Sequence, residues 1–320
     1  DISVGYDLEG IRSDKVTGFI RGLLEPRPLF DELRAELTGD LARFSDLELP
    51  EPISDCVTLS TFHGCPADQI ESIARYLLED LGLHVIIKLN PTLMGFDAVR
   101  DILHDRLGYG HLDLRREAFD VDLQSEEGHG ILRRLREVAE RPGSTIGAKF
   151  SNPRVVRNDS GVFPTQAEPW FDVWGPPLHV ISMNLMQRFR EDLGFGFPVS
   201  FSAGIDVKNF PAAVACGMVP VTTCTDLLKQ GGFGRLPGYL KGLRREMERV
   251  GVTSRAAYGP AAGGHAVEAV EGSLGNLPPG AVDRLRDVAS SGPDALPLAI
   301  REEARDAGLD PEVVVLRVTR

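Results

Sequence analysis

Val85-Ile86-Ile87-Lys88-Leu89-Asn90 is a run of β-branched and aliphatic residues that turns polar only at its end. Such a run reads as a buried strand, since branched side chains suit the pleated backbone and length argues against a helix. The same signature recurs at Val57-Thr58-Leu59-Ser60-Thr61, Ile146-Gly147-Ala148-Lys149-Phe150-Ser151-Asn152, Val180-Ile181-Ser182-Met183-Asn184, Val199-Ser200-Phe201-Ser202-Ala203-Gly204 and Val221-Thr222-Thr223-Cys224-Thr225. Stretches of helical periodicity separate most of them, which predicts parallel βα units. Parallel strands end on one side of their sheet. The polar ends then converge on a single rim, where a (β/α)8 barrel carries its active site.

Working outward, Ile2–Val4 reads as a further strand, which makes seven strand candidates in all. Asp68 to Leu81 is the clearest helix: Ile70, Ile73, Ala74, Leu77, Leu78 and Leu81 form one apolar stripe, and Gly82 closes it. Helices are also expected over residues 14–24, 29–44, 97–107, 126–140, 185–193, 207–216 and 234–250. Residues 153–178, with Trp170 and Trp174, read as an irregular connection. The expected organisation is an α/β, TIM-type (β/α)8 barrel over residues 1–250 and a helical extension over 251–320. The chain opens on Asp1-Ile2-Ser3-Val4-Gly5 in mid-strand and without methionine, so the barrel is expected to be truncated at its N-terminus.

The 320 residues are 42% hydrophobic and 26% charged, a composition that supports a large core. A formal net charge of −12 argues against general binding to nucleic acid or to anionic membranes. No run approaches the length of a membrane span, and no secretory signal opens the chain. Cys56, Cys65, Cys216 and Cys224 show no metal-knuckle spacing, so neither a disulfide framework nor a metal site is expected and the cytoplasm is the expected compartment.

Alternation along each strand puts Lys88 with Asn90, Lys149 with Ser151, Ser182 with Asn184, and Thr223 with Thr225 on shared faces. Two lysines with Asn90, Asn152 and Asn184 suggest a site for an anionic or heteroaromatic ligand. Either lysine could instead be half of a buried ion pair. Ser202-Ala203-Gly204 enters a helix through a small-residue turn, and the following unit offers Thr223 and Thr225; together they suit a phosphate. Phe62-His63-Gly64-Cys65-Pro66 follows a strand. His63 and Cys65 could act as acid, base or nucleophile, or could simply shape a tight turn.

The runs Ser3–Ile11, Thr58–Pro66, Lys88–Gly95, Ser202-Ala203-Gly204, Cys224–Lys229 and Gly231-Gly232-Phe233 together resemble the selenate reductase subunit family, large multidomain iron–sulfur flavoproteins. The resemblance covers about residues 1–245 and is specific as a set. The N-terminal portion of that family is similar to the FMN barrel of dihydroorotate and dihydropyrimidine dehydrogenases. The resemblance implies FMN as cofactor. Lys88 or Lys149 would lie at the flavin, with Asn90, Asn152 and Asn184 as the holding amides and Gly204 and Thr225 on its phosphate. It also implies iron–sulfur and dinucleotide-binding modules as partners, which residues 1–320 do not encode. Two departures stand out: one or two strands that complete the family's barrel are expected to lie before residue 1, and Ala203-Gly204 stands where the family often has a pair of glycines.

The expected function is therefore a flavin-dependent oxidoreductase barrel, part of a larger electron-transferring protein acting on a small heterocycle or oxyanion. Cys65, His63 and Lys88 are the candidate catalytic groups. An aldolase or isomerase forming a Schiff base at Lys88 or Lys149 explains the lysines and phosphate turns but not the asparagines. A non-catalytic barrel scaffold is the third reading.

Overall fold

The computed structural model describes residues 2–61, 65–157, 169–194, 197–263, 267, 278–309 and 311. In chain order its strands are β1 (Ile2–Val4), β2 (Cys56–Ser60), β3 (His84–Leu89), β4 (Ile146–Phe150), β5 (Arg154–Arg157), β6 (Trp170–Val173) and β7 (Val199–Phe201). The first helices are α1 (Leu8–Arg12), α2 (Asp14–Leu24), α3 (Arg27–Glu36), α4 (Ala67–Arg75), α5 (Phe96–Arg100), α6 (Glu117–Val121) and α7 (Ser125–Glu140). They are followed by α8 (Pro176–Leu193), α9 (Phe210–Ala215), α10 (Leu236–Arg249), α11 (Arg255–Ala262), α12 (Ala281–Ser291) and α13 (Leu296–Asp306). The chain divides into two compact units, Asp1–Leu93 with Arg116–Asn152, and Met94–Arg115 with Pro153–Arg320.

In the first unit β1, β2, β3 and β4 pair in that order, each parallel to the next. One face of this sheet carries Val57, Leu59, Val85, Ile87, Leu89, Ile146, Ala148 and Phe150, all buried. It packs under the apolar stripes of α4 (Ile70, Ile73, Ala74) and α7 (Ile131, Leu132, Leu135, Val138). Glu71 of α4 receives Arg75 at 3.2 Å and Arg134 of α7 at 2.6 Å, joining the two helices across their exposed edge. The opposite face carries Thr58, Ser60, Ile86, Lys88, Gly147 and Lys149. The register sets Ser60 beside Lys88 and Lys88 beside Lys149, so these three polar residues form one row.

In the second unit β7 continues as a one-residue parallel bridge from Phe201 to Val221. Val214, Val252, Ala257 and Tyr258 form a core shared by α9 and α11, with Leu243 and Met247 of α10 packed against it. Val267 joins Leu285 of α12 and Leu296, Ile300 and Ala304 of α13 in another cluster. Arg284 and Glu303 close that helix pair with bonds of 2.6 and 2.8 Å.

Three expectations need correction. Val180–Asn184 is not a strand; it lies inside α8. Leu178, Ile181, Leu185, Met186 and Phe189 are buried at helical spacing over a longer window than the five residues that suggest a strand, and Pro176-Pro177 suit a first turn. Residues 153–178 are not wholly irregular, because β5 and β6 form an antiparallel ladder from Arg154↔Val173 to Arg157↔Trp170. Val221–Thr225 is strand only at Val221, and a 3-10 turn begins at Thr225. The helix expected over 68–81 is present as α4 continued by a π turn at Tyr76–Asp80, and Gly82 follows at φ 65°.

Candidate active site at the strand ends

In the first unit β2, β3 and β4 each carry a polar residue of the row described above at their last or penultimate position, and the segments beyond them close into one hydrogen-bonded network. Asn90 is 6% exposed and Asn152 5% exposed, so their amides need partners. Asn152 Nδ2 donates to Asn90 Oδ1 at 2.6 Å, to Thr61 O at 3.0 Å and to Lys88 O at 3.2 Å. Asn90 Nδ2 in turn donates to Asp122 Oδ2 at 3.2 Å, and Thr92 Oγ1 donates to the same oxygen at 2.9 Å. Asp122 is buried at the C-terminal end of α6, where Gln124 donates to its carbonyl at 2.7 Å. The chain reaches Asn152 from β4 through a cis peptide bond between Phe150 and Ser151.

Lys149 is buried, and burial depresses its pKa below the ordinary lysine value, while the nearby Cys56 thiol opposes that shift slightly. Lys88 is only half-buried. Cys65 is buried at the entry to α4, and its thiol is pushed up to about 11, first by burial and then by the charge of Asp68. A thiol in that state keeps its proton at neutral pH, so it fits the role of proton donor better than that of thiolate nucleophile. His63 lies outside the described residues.

In the second unit Gly204 sits at φ 57°, in the left-handed region that favours glycine. A Cβ on it would stand 2.5 Å from the carbonyl oxygen of Gly175 and 3.1 Å from His179 Cβ. The carbonyls of Ala203, Gly204 and Ile205 are engaged. His179 Nδ1 bonds Ala203 O at 2.8 Å, Asn209 Nδ2 donates to Gly204 O at 2.9 Å, and Thr223 Oγ1 donates to Ile205 O at 2.9 Å. Ser202 Oγ, by contrast, is buried with no hydrogen-bond partner among the described residues. An orphaned hydroxyl beside a glycine turn whose carbonyls point elsewhere has the chemistry of an anion cradle.

Behind the turn, buried Asp226 accepts from Arg235 Nη2 at 2.9 Å and Nε at 3.0 Å, from Lys229 Nζ at 3.1 Å and from Tyr239 Oη at 2.7 Å. The Arg235 bonds, with those of Tyr239 and Lys229, hold its carboxyl well below the usual carboxylate range. Tyr239 Oη also lies 3.2 Å from Thr223 Oγ1, so this ionic cluster fixes the segment that carries Thr223 and Thr225.

The structure thus joins Lys88, Asn90, Lys149 and Asn152 on the first unit's strand ends, and Ser202, Gly204, Thr223 and Thr225 on the second unit's turns. It does not bring Asn184 to a strand end. That residue sits on α8, with its amide donating to Val180 O at 2.8 Å. Sequence reasoning brings Ser60 and Thr61 to the rim without assigning them a role, and it misses Asp122 and Thr92, and in the second unit Gly175, His179 and Asp226. Gly175 announces itself only as a glycine before Pro176-Pro177, and Asp122 gives no local signal at all.

Residues 1–260 match the family described as oxidoreductase YgfK, N-terminal TIM-barrel domain. The YgfK proteins of Escherichia coli strain K12 and of O157:H7 are each 35% identical to this chain over 262 residues, covering 76% of it. The alignment covers 25% of either relative, so the chain spans about a quarter of the length of the curated relatives it matches. A ligand-free DHODH from Eimeria tenella overlays with a TM-score of 0.41 at 17% identity, covering 72% of this chain and 68% of that one.

Proposed function

From the premise that this chain belongs to the YgfK N-terminal TIM-barrel domain family of oxidoreductases, we propose that it is the FMN-binding barrel of an electron-transferring flavoprotein. The observation that carries the reading is the row Ser60–Lys88–Lys149 beside the Asn90–Asn152 amide pair. When bound, the flavin supplies the redox chemistry, and the protein contributes binding, orientation and electrostatics. Lys88 and Lys149 would offer positive charge to an electron-rich ring edge, with Asn90 and Asn152 as rigid polar contacts. The turn at Gly204, with Ser202 Oγ and with Thr223 and Thr225, is assigned to a phosphate. Cys65, protonated at neutral pH, would move a proton. The substrate is a small molecule, and the iron–sulfur and dinucleotide modules of the complete protein are its proposed partners.

The test is an absorbance spectrum of the complete protein followed by redox titration of two variants. A yellow protein whose potential falls more in Lys88→Met than in Lys149→Met supports the reading with Lys88 as the flavin lysine. The reverse order moves that role to Lys149. A colourless protein that gains no flavin on incubation with FMN removes it altogether. One observation favours a second reading: burial depresses Lys149, as a Schiff-base amine requires. Borohydride trapping of an aldehyde substrate on Lys149 would establish it.

A further inference from the structure

The second unit carries a groove that neither the strand ends nor the phosphate turn accounts for. It opens between α9, α10 and α11, holds about 490 Å³ and shares no residue with either site. Packed helices normally fill such a space with interdigitating side chains. Here the facing positions are Ala212 and Ala215 of α9, Gly242 of α10, and Gly259 and Ala262 of α11, which offer nothing beyond a Cβ. The floor is therefore smooth, and the volume is that of an ordinary small-ligand site. Charged groups stand around it. Arg245 and Arg249, one helical turn apart on α10, and Lys208, ahead of α9, line it together with Glu246. Arg249 Nε donates to Glu246 Oε2 at 2.8 Å, which leaves its terminal nitrogens without a bond to any described residue. The side chains of Arg245 and Lys208 make no hydrogen bond or ion pair with any described residue. Lys208 is nonetheless fixed at its backbone, where its N–H donates to Asp206 Oδ1 at 2.8 Å. Tyr258, in the groove wall, is 3% exposed, and its hydroxyl has no partner among the described residues. Burial first, and then the charge of Glu246, raise its pKa, so it keeps its proton as a donor.

We propose that this groove binds an organic anion of nucleoside-monophosphate size, with its flat body on the Ala–Gly floor and its anionic head between Arg245 and Lys208. Three cations against one carboxylate leave two net positive charges around the groove, in a chain whose formal net charge is −12. Like charges at the i,i+4 spacing of Arg245 and Arg249 destabilise a helix, and a bound dianion relieves that repulsion. A guanidinium meets a phosphate through two parallel N–H bonds, which suits Arg245 better than a single carboxylate would. The floor offers no donor or acceptor side chain, so it takes an apolar or aromatic face, and Tyr258 supplies one hydroxyl at its wall. A small inorganic anion leaves that floor unused. The proposal goes beyond the oxidoreductase reading and does not depend on it.

The test titrates this 320-residue chain calorimetrically with AMP, UMP, adenosine and inorganic phosphate. At least one of the two nucleotides should bind saturably, and roughly tenfold or more tighter than adenosine or phosphate, because body and head both contribute. Arg245→Gln should weaken that nucleotide roughly tenfold while the melting temperature holds, as loss of a charge-assisted bond to phosphate demands. Ala262→Trp, which fills the groove, should abolish the binding. Ser202→Ala, at the phosphate turn, should leave it unchanged. Absence of saturable binding by both nucleotides overturns the proposal, and so does phosphate binding as tightly as either of them. An affinity that survives Arg245→Gln overturns it as well. A loss in Ser202→Ala as large as that in Arg245→Gln also overturns it, by placing the nucleotide on the turn. Arg245 is exposed and makes no bond that folding needs, so its variant decides the matter even if Ala262→Trp fails to fold.

Discussion

Replacing Asp226 with Asn is a demanding test of the ionic cluster in the second unit, because it changes charge with almost no change in volume. The carboxylate is 2% exposed and accepts four bonds, two on each oxygen. Asn can present its remaining oxygen to only one pair, either Arg235 Nη2 with Lys229, or Arg235 Nε with Tyr239. The other pair of donors then faces an NH₂ group. Hydrogen bonds to charged groups contribute about 1.5–3 kcal/mol each, and breaking a buried ion pair costs about 3–5 kcal/mol. Arg235 and Lys229 are 33% and 56% exposed, so water recovers part of what they lose and the lower figure applies, about 3 kcal/mol. For a cooperative unit of this size that corresponds to a fall in melting temperature of roughly 6–12 °C.

The sign of the pH dependence follows from the depressed carboxyl. Its folded pKa lies below the unfolded value, so its contribution is complete above the ordinary carboxylate range and fades as pH falls toward the folded pKa. The gap between parent and variant, read by calorimetry, should be widest at neutral pH and should narrow steadily below about pH 4. A gap of equal size at pH 3 and pH 7 would mean that shape, not charge, holds this cluster together, and the reasoning would fail.

Three other perturbations have equally definite outcomes. Gly204→Ala forces a left-handed backbone on alanine and a Cβ against Gly175 O, so it should cost about 1–3 kcal/mol in chemical denaturation and lower phosphate affinity in a calorimetric titration. Cys65 should alkylate with iodoacetamide far more slowly at pH 7 than a free thiol, with a rate that climbs toward pH 11; rapid reaction at neutral pH would contradict its protonated state. Lys149 has a lowered folded pKa, so the unfolded chain binds more protons and parent stability should rise with pH through the lysine range. Lys149→Met should remove that slope, and a slope of unchanged steepness in the variant would show that another group produces it.

The first unit was the more legible part of the chain. Val57–Thr61, Val85–Asn90 and Ile146–Asn152 declare themselves as strands because their side chains are branched and their polar residues come last. That pattern alone was enough to pair Lys88 with Asn90 and to expect Lys149 near them. Val180–Asn184 carries the same five-residue signature and is helical, because the residues that decide it, Leu178, Leu185 and Phe189, lie outside the window. Asp122 could not be foreseen. Its partner Asn90 is 32 residues away, and nothing in Asp120-Val121-Asp122 marks which carboxylate turns inward. Gly175 was hidden for the same reason, since only folding brings its carbonyl to Gly204.

The strand register has a consequence for how this protein can change. The pairing that buries Val85, Ile87 and Leu89 is also what aims Lys88 at the opposite face, in line with Ser60 and Lys149. A slip of one residue in β3 would turn Leu89 to the face of Ser60 and Lys149 and drive an ammonium under α4 and α7. Insertions or deletions inside this strand therefore cannot retune the site by degrees, because each one trades chemistry for core. New specificities have to come by substitution within the row, or from side chains beyond the strand ends that stand outside the Asn90–Asn152–Asp122 network.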